Sequence, residues 1–388
     1  MSINLQNAEL GKVRSVIRDI FEYGNSRRAL VGKDNVFDFS LGNPATPTPK
    51  EIDLEIQRAV ENDPAVHGYT SAAGNPLLRS AVADSIQKRF GVSIFAENIY
   101  ITCGAAASLT ITLGALCQKG DGVIAFAPYF PEYKVFAEGA GASFSVVDAD
   151  TEQFFINFCD LEAKLDKNTK AVIINSPNNP SGAVLDEKCI IRLCEFLDKK
   201  QKEYGHPIYI ISDEPYRELV YGDVSVPYIM NYYDNCVVCY SWSKSLSLAG
   251  ERIGYIAVNP KAEDSEDIFY AVCGAGRKLG FVCAPSLMQS VIAKHIDAVT
   301  DIEAYRKNRD LLYNSLTEYG YECVKPDGAF YLFVKSPYPE FFERAKAEDV
   351  LVVPSESFGV TGYIRISYCV SETTVRGALP KFRKLIKG

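Results

Sequence analysis

Histidine is scarce in this chain of 388 residues: His67, His206 and His295 are the only three, and nothing in their spacing suggests a shared metal, so a zinc site is not expected. Charge of one sign never accumulates either. Forty-one basic residues against 49 acidic ones leave a net charge of −8, without the basic stripe that binding to nucleic-acid phosphates would want. No apolar stretch runs long enough to span a bilayer, and the opening residues, MSINLQNAELGKVRS, lack the apolar core of a secretory signal. The expectation is a cytoplasmic protein with neither a nucleic-acid nor a membrane partner. Eleven cysteines are an odd count and most sit inside apolar runs, as Cys239 does in CVVCY. Buried free thiols in a reducing compartment fit that pattern better than disulfides.

What is present points to a packed globule. Hydrophobic residues make up 47% and aromatics 12%, and the length allows a large core in two domains. Short β-branched runs alternate with longer segments of helical period between about 98 and 258. The predicted strands are Ile99–Thr102, Val123–Ala127, Ser143–Val147, Ala171–Asn175, Ile208–Ser212, Val237–Ser241 and Ile253–Val258. Their apolarity is continuous rather than alternating, which marks strands covered on both faces in a mostly parallel sheet. The expected fold is therefore α/β, with a mostly parallel seven-stranded sheet and helices on both faces. Glu187–Tyr204 reads as an amphipathic helix. After about residue 290 the texture changes to a charged helix over 301–319, strands at 329–334 and 363–367 and a closing helix over 372–386. That is a smaller α+β unit, giving boundaries of 45–290 for the large domain and 1–44 with 291–388 for the small one.

Three segments carry chemistry, and each follows an apolar run. NSPNNPSG spans Asn175 to Gly182, SDEPY spans Ser212 to Tyr216, and SWSKSLSLAGERIG spans Ser241 to Gly254. The last sets Lys244 between hydroxyls and eight positions before Arg252, a placement suited to an imine with an aldehyde cofactor. Asp213 closes an apolar strand, so its carboxylate would emerge at the C-terminal edge of the sheet, where ligands of open α/β sheets collect. Thr102-Cys103-Gly104-Ala105-Ala106 is a strand end running into an Ala-rich helix, whose exposed N–H groups can bind phosphate without a basic side chain.

In this order and at these intervals the segments resemble the class I and II group of fold type I pyridoxal phosphate (PLP) aminotransferases, whose pattern reads N-P-x-N-P-x-G, D-E-x-Y, then S-x-S-K-x-x-x-x-x-G-x-R-x-G. Ser176 departs from it, standing where Asn is usual. The resemblance covers essentially the whole chain and implies an enzyme that moves an α-amino group between an L-amino acid and a 2-oxo acid in a ping-pong reaction. It assigns Lys244 to hold PLP covalently and then move the proton, and Asp213 to keep the pyridine nitrogen protonated so that the ring can take up electrons. Asn179 and Tyr216 would hydrogen-bond the phenolic oxygen, and Tyr129 would stack on the ring. Arg252, Ser241, Ser243 and the Gly104, Ala105 and Ala106 turn would hold the phosphate, the two alanines through backbone alone. Arg365, in YIRIS, matches the arginine for the substrate α-carboxylate, assisted by Gly42 and Asn179. Tyr69 matches a tyrosine that reaches the partner's phosphate, implying a homodimer with shared active sites.

Aspartate is the first substrate expectation and aromatic donors the second; Arg27, Arg28, Lys134, Arg277 and Lys278 are the candidates for a side-chain carboxylate. The same cofactor residues would serve a C–S β-lyase, a decarboxylase or a cyclopropane-forming synthase. A non-catalytic PLP-binding effector domain is less expected, because the residues before Gly42 show no basic recognition helix. GAGRKLG at 274–280 superficially suggests a dinucleotide loop but follows no clear strand.

Overall fold

Seven short runs form one seven-stranded sheet: β1 (Ile99–Thr102), β2 (Gly122–Phe126), β3 (Ser143–Val147), β4 (Thr169–Asn175), β5 (Tyr209–Asp213), β6 (Cys236–Ser241) and β7 (Gly254–Val258). The computed structural model describes residues 3–12 and 15–387; parts of the N-terminal segment read for a leader lie outside them. The sheet order is β1-β7-β6-β5-β4-β2-β3. Strands β2 to β6 run parallel; all but the edge strand β3, whose Ser143 and Ser145 are exposed, are buried on both faces. β7 does not: it pairs antiparallel with both β6 and β1. The reason lies in the connection. Ser241 pairs directly with Gly254, so residues 242–253, the lysine segment, leave and re-enter the sheet at one edge without the crossover helix that a parallel return requires.

Helices cover both faces. Glu187–Tyr204 starts where the Asp186 side chain accepts from the Cys189 amide at 2.7 Å and stops at Gly205, whose φ of +76° supplies the left-handed C-cap. It buries Ile190, Leu193 and Leu197 along one stripe. GAGRKLG is helical: it lies in the last turns of Ser265–Leu279, capped by left-handed Gly280, so it cradles no dinucleotide. The CVVC spacing at 236–239 is likewise a strand feature. Alternation along β6 sends Cys236 into the core on one face of the sheet and Cys239 into the core on the other, and all eleven cysteines are free thiols.

Beneath β5 lies a buried ion pair. Glu214 accepts from Ser212 Oγ at 2.7 Å and from Arg217 Nε, while the Arg217 Nη atoms donate to the carbonyls of Val226 and Pro227 at 3.0 and 3.1 Å. The guanidinium lies 5.0 Å from the ring centres of both Phe90 and Tyr228, which stack on each other at 4.2 Å. Arg217→Met leaves Glu214 buried without its ion-pair partner, so we expect a loss of about 3–5 kcal/mol, read as a lower urea midpoint. A loss under 1 kcal/mol would mean that the pair is dispensable.

These elements belong to a compact unit of Thr46–Ile302 with Asp327–Ala329; the second unit comprises the residues up to Ala45, Glu303–Pro326 and Phe330 onward. In the second unit Tyr363–Ser367 is the middle strand of a three-stranded antiparallel sheet, between Val353–Pro354 and Tyr331–Lys335. Helices Glu303–Tyr319 and Glu372–Leu385 pack on each other. The strand expected at 329–334 begins two residues later. Ala329 has a φ of +55°, and a Cβ on Gly328 would strike the Pro177 ring at 2.6 Å, so the chain there is shaped by close approach rather than pleated. Among the described residues no helix is long and apolar enough to cross a membrane.

Candidate active site

Three parallel strands end side by side in polar residues: β4 at Asn175, β5 at Asp213 and β6 at Ser241. Asp213 is buried. Its Oδ2 accepts from the Tyr133 hydroxyl at 2.5 Å and, more distantly, from Asn175 Nδ2 at 3.4 Å. Its Oδ1, equally buried, has no hydrogen-bond partner. Burial pushes the carboxyl up to about 7 against the Tyr133 hydrogen bond, with the Glu214 charge adding to the rise. A buried acceptor left open costs free energy unless something donates to it.

Asn175 ties the strand ends together. Its Nδ2 donates to the Asp213 carbonyl at 2.9 Å and its Oδ1 accepts from the Asn179 amide at 2.8 Å. Asn179 and Tyr216 are themselves buried. Cis peptide bonds precede Pro128, after β2, and Pro177 and Pro180, after β4. Neither Tyr133 nor Asn175 receives a role from the sequence, although Asn175 opens the NSPNNPSG segment. Tyr133 is one of 23 tyrosines and meets Asp213 only through tertiary folding, four residues after Tyr129 and near the start of the helix Glu132–Gly139. Tyr129 is half-buried, its ring 5.4 Å from Phe144.

Lys244 is half-buried in the segment between β6 and β7, flanked by buried Ser243 and Ser245. The turn is pinned on both sides. Ser245 Oγ lies 2.9 Å from the Tyr240 hydroxyl, and its carbonyl accepts from the Thr300 amide at 2.7 Å. At the end of the segment Arg252 (φ +53°) lays its guanidinium against the backbone of Gly104: a Cβ there would come within 2.9 Å of Nη2. Gly104, at φ +88°, precedes the helix Ala105–Leu116, whose start has no side-chain cap. Gly254 completes the cradle, since a Cβ on it would lie 2.3 Å from the Tyr240 carbonyl and 3.1 Å from Gly104 Cα. The arrangement offers an anion two things at one point: uncapped N–H groups at a helix start and a guanidinium.

In the second unit Arg365 is buried, although an isolated strand arginine is ordinarily a surface residue. Its Nη2 donates to the Ser40 carbonyl at 2.5 Å, and its guanidinium lies 4.7 Å from the Tyr331 ring centre and 5.1 Å from that of Phe358. Gly42 belongs to the same cluster; a Cβ on it would fall 2.0 Å from the Tyr331 hydroxyl. Of the basic residues considered for a side-chain carboxylate, Arg27 pairs with Asp349 and Arg28 with Asp38, each at 2.6 Å. Lys134 reaches Glu138 at 3.9 Å, while Arg277 and Lys278 stand exposed on the last turn of Ser265–Leu279. Tyr69 is fully exposed on its loop.

Residues 34–382 match the family model "Aminotransferase class I and II". The chain belongs to that family. A probable aspartate aminotransferase of Methanocaldococcus jannaschii is 30% identical over 384 residues, 96% of this chain and 97% of the relative. Among solved structures, an amino transferase from Eubacterium rectale superposes with a TM-score of 0.97 at 52% identity, covering 100% of this chain and 99% of the other. The aspartate aminotransferase from Thermus thermophilus with maleate gives 0.85 at 26% identity, with 96% and 97% covered. The chain is thus a transaminase, and members of its family depend on PLP. The residues present fit that group. Asp213 Oδ1 is a buried acceptor awaiting a donor, and the Gly104 turn with Arg252 is a cradle that any Cβ would fill.

Proposed function

We propose that this aminotransferase moves the α-amino group of an L-amino acid, aspartate first, to a 2-oxo acid, with PLP held by the strand-end site. The observation that carries the proposal is the open Oδ1 of Asp213, a buried carboxylate oxygen aimed at no protein donor. When bound, PLP supplies an aldehyde for the amine and a cationic ring that takes up electrons from the α-carbon. Asp213 holds the proton on the ring nitrogen, while Tyr133 and Asn175 keep that carboxylate in place. Lys244 anchors the cofactor and carries the proton to and from the substrate α-carbon. Tyr129 covers one ring face, and Asn179 and Tyr216 donate to the phenolic oxygen. Arg252, Ser241, Ser243 and the Gly104, Ala105 and Ala106 turn receive the phosphate. Arg365 and Gly42 are assigned the substrate α-carboxylate, and Tyr69, on the exposed loop, a phosphate across a homodimer.

Aspartate leads because relatives along the whole chain carry that substrate in their names, one of them solved with the dicarboxylate maleate. The test mixes PLP-loaded protein with single L-amino acids and no acceptor. A transaminase releases one equivalent of 2-oxo acid per site and then stops, fastest with aspartate. Continuous release of ammonia would mark a lyase and sink the proposal. Arg365→Lys keeps the charge but loses the planar fork, so kcat/KM for every donor is expected to fall about 10- to 100-fold. Equal losses in a reaction lacking the α-carboxylate would contradict the assignment.

A further inference from the structure

The unit of Thr46–Ile302 holds a cavity of about 350 Å³ that the strand-end site does not use. Its wall is aromatic. Tyr240, Trp242 and Tyr255 meet with ring centres 4.9 to 5.5 Å apart, and Val82 and Ile86 of the helix Pro76–Phe90 also line the space. Two ion pairs border it. Arg89 Nη2 donates to Glu218 Oε1 at 2.9 Å, and the other oxygen of Glu218 accepts from the Tyr240 hydroxyl at 2.9 Å. Lys88 reaches Asp297 at 3.1 Å on the exposed rim.

The cavity lies on the other side of the sheet from Asp213. Tyr240, Trp242 and Tyr255 belong to one core, whereas Tyr133 and the strand residues of Asp213's own parity, Tyr209 and Ile211, belong to the opposite one. The two spaces nevertheless share a part. Tyr240 bonds Ser245, the residue after Lys244, so whatever fills the cavity bears on the turn that carries the lysine.

We infer that this cavity is a binding site for a free zwitterionic α-amino acid with an apolar or aromatic side chain. A ligand of a single charge would leave one member of a border pair uncompensated. A zwitterion can offer its carboxylate to Arg89 or Lys88 and its ammonium to Glu218 or Asp297. Its side chain then packs on the three rings, where apolar area and ring geometry favour it. The volume is that of a small-ligand pocket. Occupancy tightens or shifts Tyr240 and hence Ser245, so the amino acid acts as an effector of the lysine turn; only this last step rests on the proposed transamination.

Trp242 is the chain's single tryptophan and lines the cavity, so its fluorescence, excited at the red edge, reads the site directly. Titration of the PLP-loaded protein with L-phenylalanine and with L-leucine is expected to give a saturable change. Ala298→Phe fills the space and Glu218→Gln removes one charge, and each is expected to raise the midpoint about tenfold or more, with melting curves confirming the fold. Lys244→Ala is expected to titrate as the parent does. The inference is overturned if neither amino acid changes the signal, if Ala298→Phe and Glu218→Gln both titrate like the parent, or if Lys244→Ala alone abolishes the change, since the signal then comes from the catalytic site. Failure of the transamination proposal shows separately, as continuous release of ammonia by the parent while the titration stands.

Discussion

Lys244→Ala is expected to lower kcat for amino transfer by at least about 10⁴-fold while leaving the protein folded. One side chain is assigned two tasks, anchoring the cofactor and moving the α-proton. General acid–base catalysis alone contributes about 10²- to 10⁴-fold, and loss of the covalent anchor adds to it. No neighbour can take over. Arg252, the other cation of the segment, carries only donors and has no acceptor to offer. The fold tolerates the change because Lys244 is only half-buried and its turn is held through Ser245, by the Tyr240 hydroxyl and the Thr300 amide. The checks are steady-state turnover, borohydride trapping of PLP on the parent followed by peptide mapping, and a melting temperature within a few degrees of the parent. Residual activity within tenfold of the parent would move the proton to another group.

How much of this was legible beforehand depended on how local the cause was. The helix Glu187–Tyr204 could be bounded at both ends because its stop signal and its N-cap, Gly205 and Asp186, lie in the adjacent sequence. Six of the seven strands were legible as continuous apolar runs, and all seven ends fell within two residues of expectation; Ser143–Val147 alternates instead. The direction of β7 was not, since an apolar run reads the same both ways and only the pairing of Ser241 with Gly254 fixes it. The motif residues announced themselves by pattern, but the groups that hold them did not. Tyr133 and Asn175 converge on Asp213 from 80 and 38 positions away, and no local signal encodes such a meeting. The same holds for Gly42, whose need for glycine comes from the Tyr331 hydroxyl. The burial of Arg365 could not be read from its run for a related reason: it depends on a carbonyl at Ser40 and two rings that only the folded unit assembles.

Asp213→Asn is expected to cost about 10²- to 10³-fold in kcat, the scale of losing one preorganised electrostatic partner at the reacting group, and to change how stability depends on pH. In the parent the Asp213 carboxyl is raised from 3.8 to about 7, chiefly by burial. An acid raised in the folded state contributes stability that is fully present below its unfolded value and is lost as pH climbs through its folded value. Between about pH 4 and pH 7 the PLP-free protein therefore binds a proton that the unfolded chain has released. Across that window it loses up to roughly 4 kcal/mol as the pH rises. Asparagine has no such proton, so urea midpoints of the PLP-free variant between pH 5 and pH 8 are expected to lack this fall. Loading the parent with PLP is expected to flatten it as well, because Oδ1 gains a cationic donor and the charged carboxylate no longer sits unpaired. Parallel pH curves for the PLP-free parent and variant would show that Asp213 titrates as an ordinary carboxylate, and would remove the electrostatic basis for assigning it the ring nitrogen.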